Sequence, residues 1–167
     1  MIRPLTTLAA AMLLASCGTI FPAVKDHGMG TWRMDPARSS FRPGPAPKTL
    51  TARFEPAPEG GVRLRTEAVL PNGQVATTAY DARLDGKDYP LTGSPMADAV
   101  TLRRVDARRV ERSDKKNGTT VMNQSRVISE DGRTMLVVMK GATPAGDLVE
   151  NWIVFTRDEG AAAPSKP

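Results

Sequence analysis

Residues 117–140 read NGTTVMNQSRVISEDGRTMLVVMK, and this stretch decides the predicted fold. Asn117-Gly118 and Asp131-Gly132 are dipeptides that favour tight turns between antiparallel strands. The run Thr119–Ile128 between them is rich in β-branched residues, and the apolar run Met135–Lys140 follows the second turn. We therefore expect strands that alternate with tight turns here, as in antiparallel hairpins.

The same turn chemistry recurs along most of the chain, at intervals of about 12 to 14 residues. Its positions are Gly60-Gly61, Asn72-Gly73, Asp85-Gly86, Asn117-Gly118, Asp131-Gly132 and Ala145-Gly146. The one long interval, from Gly86 to Gly118, is divided by Gly93-Ser94-Pro95 and Asp106-Ala107, which are turn-like themselves. Regular turn signals predict many short strands joined by hairpins.

The segments between these turns alternate between apolar and polar residues. Leu50, Ala52 and Phe54 alternate with polar neighbours, and Val62 to Ala68 shows the same period of two, which is typical of half-buried strands. Further strands are expected at Val75–Ala82, Val100–Val105, Arg109–Ser113, Thr119–Ile128, Met135–Lys140 and Val149–Arg157. Residues 99–116 show no single apolar stripe at helical spacing, so two strands are favoured there.

A meander of this kind must pack as two sheets or close on itself, because a flat one would leave two open edges. Closure fits sequential hairpins best. We therefore predict an all-β fold, an antiparallel up-and-down meander that closes into a barrel of 8–10 strands.

The first and last predicted strands carry a tryptophan and an arginine that could pack against each other when the barrel closes. Gly30-Thr31-Trp32 begins it, and Arg157 ends its last strand. This pairing resembles the signature of lipocalins and related calycins, and the likeness covers residues 30–157. It implies a lipocalin-like (calycin) barrel that Gly30, Trp32 and Arg157 close, with Arg157 stacked on the indole for roughly 1 to 2 kcal/mol. The chain departs from fatty-acid-binding calycins in lacking a helical lid and a mappable Arg–Tyr carboxylate clamp.

The last two predicted strands have apolar side chains on both faces, more than a core needs. One face could line a pocket for a small hydrophobic ligand, and the candidate lining residues are Met135, Val137, Met139, Trp152 and Val154. A barrel of about eight strands can equally be filled by its own side chains. In that case the domain would act as an envelope adaptor or inhibitor through its surface, by the basic hairpin 103–116 or the proline-rich loop 35–48.

The segment 103–116 holds seven Arg or Lys residues and three acidic ones. Candidate contacts with an anionic surface, such as lipopolysaccharide or phospholipid headgroups, are Arg103, Arg104, Arg108, Arg109 and Arg112. The alternative is a solvated outer face whose interleaved charges protect the sheet from edge pairing.

The N-terminus has the pattern of a secretory signal over residues 1–16, with Arg3 before an apolar run that is too short to span a bilayer. Leu14-Ala15-Ser16-Cys17 resembles the lipobox of bacterial lipoproteins, which implies cleavage before Cys17 and a lipid anchor on it. Gly18 replaces the aspartate that marks inner-membrane retention in that family. The implied location is the periplasmic face of the outer membrane, with the N-terminal acyl chains as the membrane contact.

An ordinary signal peptide followed by an unpaired cysteine is the alternative to the lipobox. In either case we expect a lipidated N-terminus and tether over residues 17–29, a barrel domain over residues 30–157 and a disordered tail over residues 158–167.

The composition excludes most familiar site chemistry. The chain has 167 residues, a net charge of +5, one histidine (His27) and one cysteine, so a disulfide scaffold and a zinc finger are excluded. Its acidic residues are scattered, and it lacks a nucleophile motif and a phosphate-binding glycine loop. We therefore expect a monomer that is not an enzyme, without metal, cofactor or nucleic-acid partner, and assign no role to His27.

Overall fold

The computed structural model describes residues 26–143 and 145–160, in which ten antiparallel strands form a single sheet. The strands are β1 Gly30–Met34, β2 Thr49–Ala57, β3 Gly61–Val69, β4 Val75–Ala82, β5 Asp85–Pro90, β6 Ala99–Arg104, β7 Arg109–Lys116, β8 Thr119–Ile128, β9 Thr134–Ala142 and β10 Leu148–Arg157. Short 3-10 turns occupy Pro36–Arg38 and Pro58–Gly60. The predicted all-β fold is confirmed.

The sheet curves into a nearly closed barrel, in which the first strand pairs with the last. β1 joins β10 in antiparallel register, with Trp32 opposite Arg157, and the remaining strands follow in chain order on either side. The two outermost strands, β4 and β5, are linked by a bridge beyond β5. There the Thr92 amide donates to the Ala79 carbonyl at 2.9 Å, and the Ala79 amide donates back at 3.1 Å. The predicted up-and-down barrel is therefore confirmed.

Alternation along the strands separates an apolar interior from a charged exterior. Phe54, Leu64 and Tyr80 lie opposite one another across β2, β3 and β4 and are buried in the core. Their outward neighbours Arg63 and Asp81 form an ion pair on the opposite face of the sheet. This is the period-two pattern expected for half-buried strands.

Strand β5 corrects one detail of the predicted meander. Asp85 and Gly86, expected to form a turn between strands, lie inside β5, where the register with β6 shifts between Asp85 and Asp88. Gly86 has φ +77°, and an added side-chain atom there would meet nothing within 4 Å. Its left-handed conformation is absorbed by a bulge rather than by a hairpin turn.

The first long loop, residues 35–48, packs along β10. Asp35 accepts hydrogen bonds from the Ala37 and Arg38 amides and so caps the 3-10 turn, and Ser40 pairs with the Trp152 backbone in both directions. The loop therefore begins as a continuation of the β1 edge.

The predicted signal, the lipobox and Cys17 lie outside the described residues. Within residues 26–143 and 145–160, none of the helical segments is long and apolar enough to cross a membrane.

Candidate functional site

The barrel encloses a cavity of about 250 Å³. Most of its wall consists of inward-facing apolar side chains, among them Leu50, Phe54, Leu64, Leu102, Met135 and Ile153. An apolar protein cavity of about 150 Å³ holds one benzene molecule. By that scale this cavity has room for a compact molecule about the size of a small bicyclic aromatic compound. The barrel interior is thus not completely filled by its own side chains.

The loop between β5 and β6, residues 91–98, contributes Ser94, Met96 and Ala97 to the cavity wall. It lies at the end of the barrel opposite Trp32, because β5 ends and β6 begins there. At Gly93 the backbone of this loop lies close against β4. Its φ is +76°, and an added Cβ would lie 1.9 Å from the Thr77 carbonyl oxygen. Only glycine satisfies both conditions without displacing backbone.

The other end of the barrel is closed by Trp32 and Arg157. The indole is fully buried and its Nε1 donates to the Gly28 carbonyl at 2.8 Å, while the Arg157 guanidinium lies 4.1 Å from the ring centroid. Arg157 also donates to the carbonyls of Gly132, Met29 and His27 at 2.6–2.7 Å. Burial lowers the pKa of Arg157.

Gly30 makes room for this arrangement. Its φ is +119°, and an added Cβ would approach the Arg157 Nη1 atom to 2.8 Å. Gly30, Trp32 and Arg157 therefore lie together at the closed end, where the sequence signature places them.

The sequence predicts a tether over residues 17–29. Its last four residues, 26–29, instead cover the closed end of the barrel. We call residues 26–29 the cap. The Asp26 carboxylate is 5 % exposed and accepts from Arg126 Nη2 at 2.9 and 3.0 Å and from Arg104 Nη2 at 3.3 Å. It also accepts from the Gly28 amide at 2.8 Å. Two barrel arginines thus hold the cap by its first described residue.

At the C-terminal end the predicted tail is also partly held. The Asp158 amide donates to the Thr31 carbonyl at 2.9 Å, and its carboxylate pairs with Arg33 at 2.7 Å. Residues 161–167 lie outside the described residues.

A polar cluster lies inside the barrel, in the cavity wall, on β7 and β8. Arg112 binds Asp114 through two hydrogen bonds, Nε to Oδ1 at 2.5 Å and Nη2 to Oδ2 at 3.0 Å. Gln124 Nε2 donates to the same Asp114 carboxylate at 2.9 Å. The Arg112 guanidinium lies 4.9 Å from the Tyr80 ring centroid, and burial raises the pKa of Tyr80. We call Tyr80, Arg112, Asp114 and Gln124 the internal polar cluster.

This cluster is not among the residues predicted from the sequence, although the sequence contains a signal for it. Val110 points into the barrel, and a period of two along β7 then places Arg112 and Asp114 on the same inward face. Both interpretations of this hairpin in the sequence place its charges on the outside, whereas charged side chains can be buried where they are paired. Their pairing within the barrel is what permits the burial.

The placement of the basic residues corrects the predicted anionic-surface patch. Arg112 faces the cavity, and Arg104 turns to Asp26 with its side chain 22 % exposed. Arg103 and Arg109 lie on the outer face, where both pair with Glu111, and Arg108 lies near the Glu130 carboxylate. The five arginines therefore do not form one surface.

Three of the five predicted ligand contacts line the cavity, and two do not. Met135, Val137 and Met139 of β9 are wall residues. Trp152 and Val154 face outward, and Trp152 is 44 % exposed. Because β10 is apolar on both faces, its sequence alone does not reveal which face is inside. The inward residues are their neighbours, Ile153 and Phe155.

The described residues offer no group of three or more His, Cys, Asp or Glu side chains that could hold a metal ion. The charged side chains that line the cavity are Arg112, Asp114 and Arg126, and each of them has a partner of opposite charge.

Solved structures include two that are distantly similar to this chain, and comparison at the level of sequence gives no match. No family model matches the sequence, and no curated protein matches it. Zebrafish ileal bile acid-binding protein, solved with cholic acid, is 10% identical with a TM-score of 0.45, over 80% of this chain and 100% of that one. The siderocalin Ex-FABP, described as having dual ligand specificities, is 12% identical with a TM-score of 0.38, over 83% and 78% of the two chains.

Proposed function

We propose that this protein is a carrier that binds one small, largely apolar molecule inside its barrel. The observation that carries this proposal is the cavity of about 250 Å³, which is walled by apolar side chains from most strands of the barrel. Well-packed interiors leave few voids larger than a water molecule. An open space of this size in a small domain therefore supports a ligand-binding role. Burial of apolar ligand surface there would supply the binding energy.

Methionine contributes strongly to this wall. Met96, Met122, Met135 and Met139 all line the cavity. Their flexible, polarisable side chains can adjust to ligands of different outline. This favours a site that accepts several apolar molecules of different shape, and not one that is specific for a single molecule.

A carrier is proposed rather than an enzyme because of how the polar wall residues are bonded. Arg112 and Gln124 both direct donors to Asp114, so the acid and its neighbours are engaged with one another. A general base needs its proton-accepting atom within hydrogen-bond reach of a substrate.

The test is binding of 2-acetylnaphthalene, an uncharged fluorescent probe, measured by calorimetry and by probe fluorescence. Val137 and Val138 are adjacent on β9 and face opposite sides of the barrel, since Val137 lines the cavity and Val138 does not. Val137→Phe fills part of the cavity and should weaken binding at least about tenfold, equivalent to about 1.4 kcal/mol. Val138→Phe adds the same group on the other side of the strand and should leave the affinity unchanged.

Equal affinities in the two variants, or failure of the wild-type protein to bind the probe at its solubility limit, would contradict the carrier role. Either result would favour the alternative function, in which the domain acts as an adaptor or inhibitor through its outer surface.

We further propose that the carrier is anchored by a lipid on Cys17 at the periplasmic face of the outer membrane. The lipobox-like tetrad Leu14-Ala15-Ser16-Cys17 supports this proposal. Metabolic labelling with a palmitate analogue in a Gram-negative host should modify the wild-type protein and fail to modify Cys17→Ser. Labelling of both would show that another residue carries the lipid.

A further inference from the structure

Both arginines that the described residues place in the cavity wall are already bound to carboxylates of the protein. Arg112 is held by Asp114 through two hydrogen bonds of 2.5 and 3.0 Å. The Asp114 residue is 7 % exposed and receives a third hydrogen bond from Gln124. Two of the Arg112 nitrogens, Nε and Nη2, therefore already donate to the Asp114 carboxylate, and its positive charge is paired.

The second cavity cation, Arg126, is engaged by the cap. Its Nη2 donates to both oxygens of Asp26, and its guanidinium lies 4.5 Å from the Phe54 ring centroid. Its Nε and the Nη1 of Arg104 are buried atoms without a hydrogen-bond partner, so neither presents a surface that a molecule in the cavity could contact. Arg104 shares Asp26 at 3.3 Å and reaches solvent with part of its side chain.

Among the described residues, every cation in the cavity wall that an acidic ligand would meet is therefore already bound to a carboxylate. Burial of a carboxylate is strongly unfavourable unless a partner compensates for its lost hydration. Arg112 could serve only by loosening its hold on Asp114, which would leave that acid exposed to the same cost. An uncharged acceptor such as a ketone or ester carbonyl meets no such penalty.

On this basis, and given the carrier role proposed above, we propose that the cavity selects uncharged ligands over carboxylates of the same shape. Asp114 is the residue that sets this selectivity, because its carboxylate binds the Arg112 guanidinium with which an acidic ligand would otherwise pair. A ligand carbonyl can accept a hydrogen bond from the hydroxyl of Tyr80, a wall residue beside the Arg112 guanidinium.

A matched pair of probes tests this selectivity. 2-Acetylnaphthalene and 2-naphthoate share one skeleton and nearly one shape, and they differ by a methyl group against a charged oxygen. Calorimetry at neutral pH should show that the wild-type protein binds the ketone at least about tenfold more tightly. Equal affinities, or tighter binding of the naphthoate, would overturn the proposed selectivity while leaving the carrier role intact. Binding of neither probe would overturn the carrier role itself and the selectivity with it.

Two variants assign the selectivity to its residue. Asp114→Asn keeps the side-chain shape and removes the negative charge, so the ratio of the two affinities should shift at least about tenfold towards the naphthoate. Asp81→Asn makes the same change in an ion pair on the outer face of β4 and should leave the ratio at its wild-type value. An unchanged ratio in Asp114→Asn, or an equal shift in Asp81→Asn, would contradict the role of Asp114. The wild-type comparison stands whether or not Asp114→Asn folds.

Discussion

Arg112 and Asp114 stand two residues apart on β7 and bind each other inside the barrel, with Nε 2.5 Å from Oδ1 and Nη2 3.0 Å from Oδ2. Both side chains point inward because successive residues of a strand alternate between its faces. The internal polar cluster thus interrupts a mostly apolar cavity wall. Its presence has consequences for stability as well as for ligand choice.

Removal of one partner should destabilise the protein strongly. Arg112→Met leaves Asp114 charged and largely buried, with Gln124 as its remaining donor, and should lower the free energy of unfolding by about 3 kcal/mol. The double variant Arg112→Met/Asp114→Leu removes both charges and should lose less than the sum of the two single changes. Urea denaturation of the four proteins measures this coupling, and additive losses would argue against a buried pair.

The cap should contribute to stability through Asp26. Asp26→Ala leaves Arg126 buried without its partner, so the free energy of unfolding should fall by about 2 to 4 kcal/mol in urea denaturation. Asp81→Ala breaks an ion pair in which the Asp81 side chain is 50% exposed, and a screened surface pair contributes little. Similar losses in the two variants would mean that the cap does not hold the barrel.

The conformation of the loop 91–98, which contributes to the cavity wall, should depend on Gly93. Gly93→Ala combines a left-handed backbone with a Cβ 1.9 Å from the Thr77 carbonyl oxygen, and it should cost about 3 kcal/mol or more in thermal or urea unfolding. Gly86→Ala is the matched control, because its φ of +77° is nearly the same and its surroundings are open. That variant should lose only the about 1–2 kcal/mol of backbone strain. Equal losses would show that the close approach at Thr77 is unimportant.

Alkaline pH should destabilise the fold through Tyr80. Burial raises the pKa of Tyr80 in the folded protein, so the neutral phenol is favoured there. The associated stability is complete below the unfolded pKa and is lost as the pH rises above about 10 towards the folded value. Unfolding free energies measured from pH 9 to 11 should therefore fall more steeply in the wild-type protein than in Tyr80→Phe. Parallel curves would be inconsistent with a buried phenol.

The barrel could be predicted from the sequence because turns and alternation are local signals. Asn117-Gly118 and Asp131-Gly132 define hairpins by backbone chemistry alone, and the alternation around Leu50 and Phe54 identifies one buried face. Strand β5 escaped prediction because its residues lack apolar alternation and its glycine lies in a bulge.

The cavity was harder to predict because it depends on which face of each strand is inside. β10 is apolar on both faces, so Trp152 and Val154 were placed inside although their neighbours line the cavity. The Asp26–Arg126 pair joins residues that are far apart in the sequence, and only the closed barrel brings them together. Long-range pairings of this kind leave no periodic pattern in the sequence.

The most direct measurement of ligand binding in the cavity is NMR of the protein labelled at its methionine methyl groups, titrated with 2-acetylnaphthalene. The methyl signals of the wall residues Met96, Met122, Met135 and Met139 should shift and saturate at one probe per protein. Met34 is buried outside the cavity wall, and its signal should stay in place as the internal control. Shifts confined to Met34 and Met29, or no shifts at all, would contradict a ligand-binding barrel.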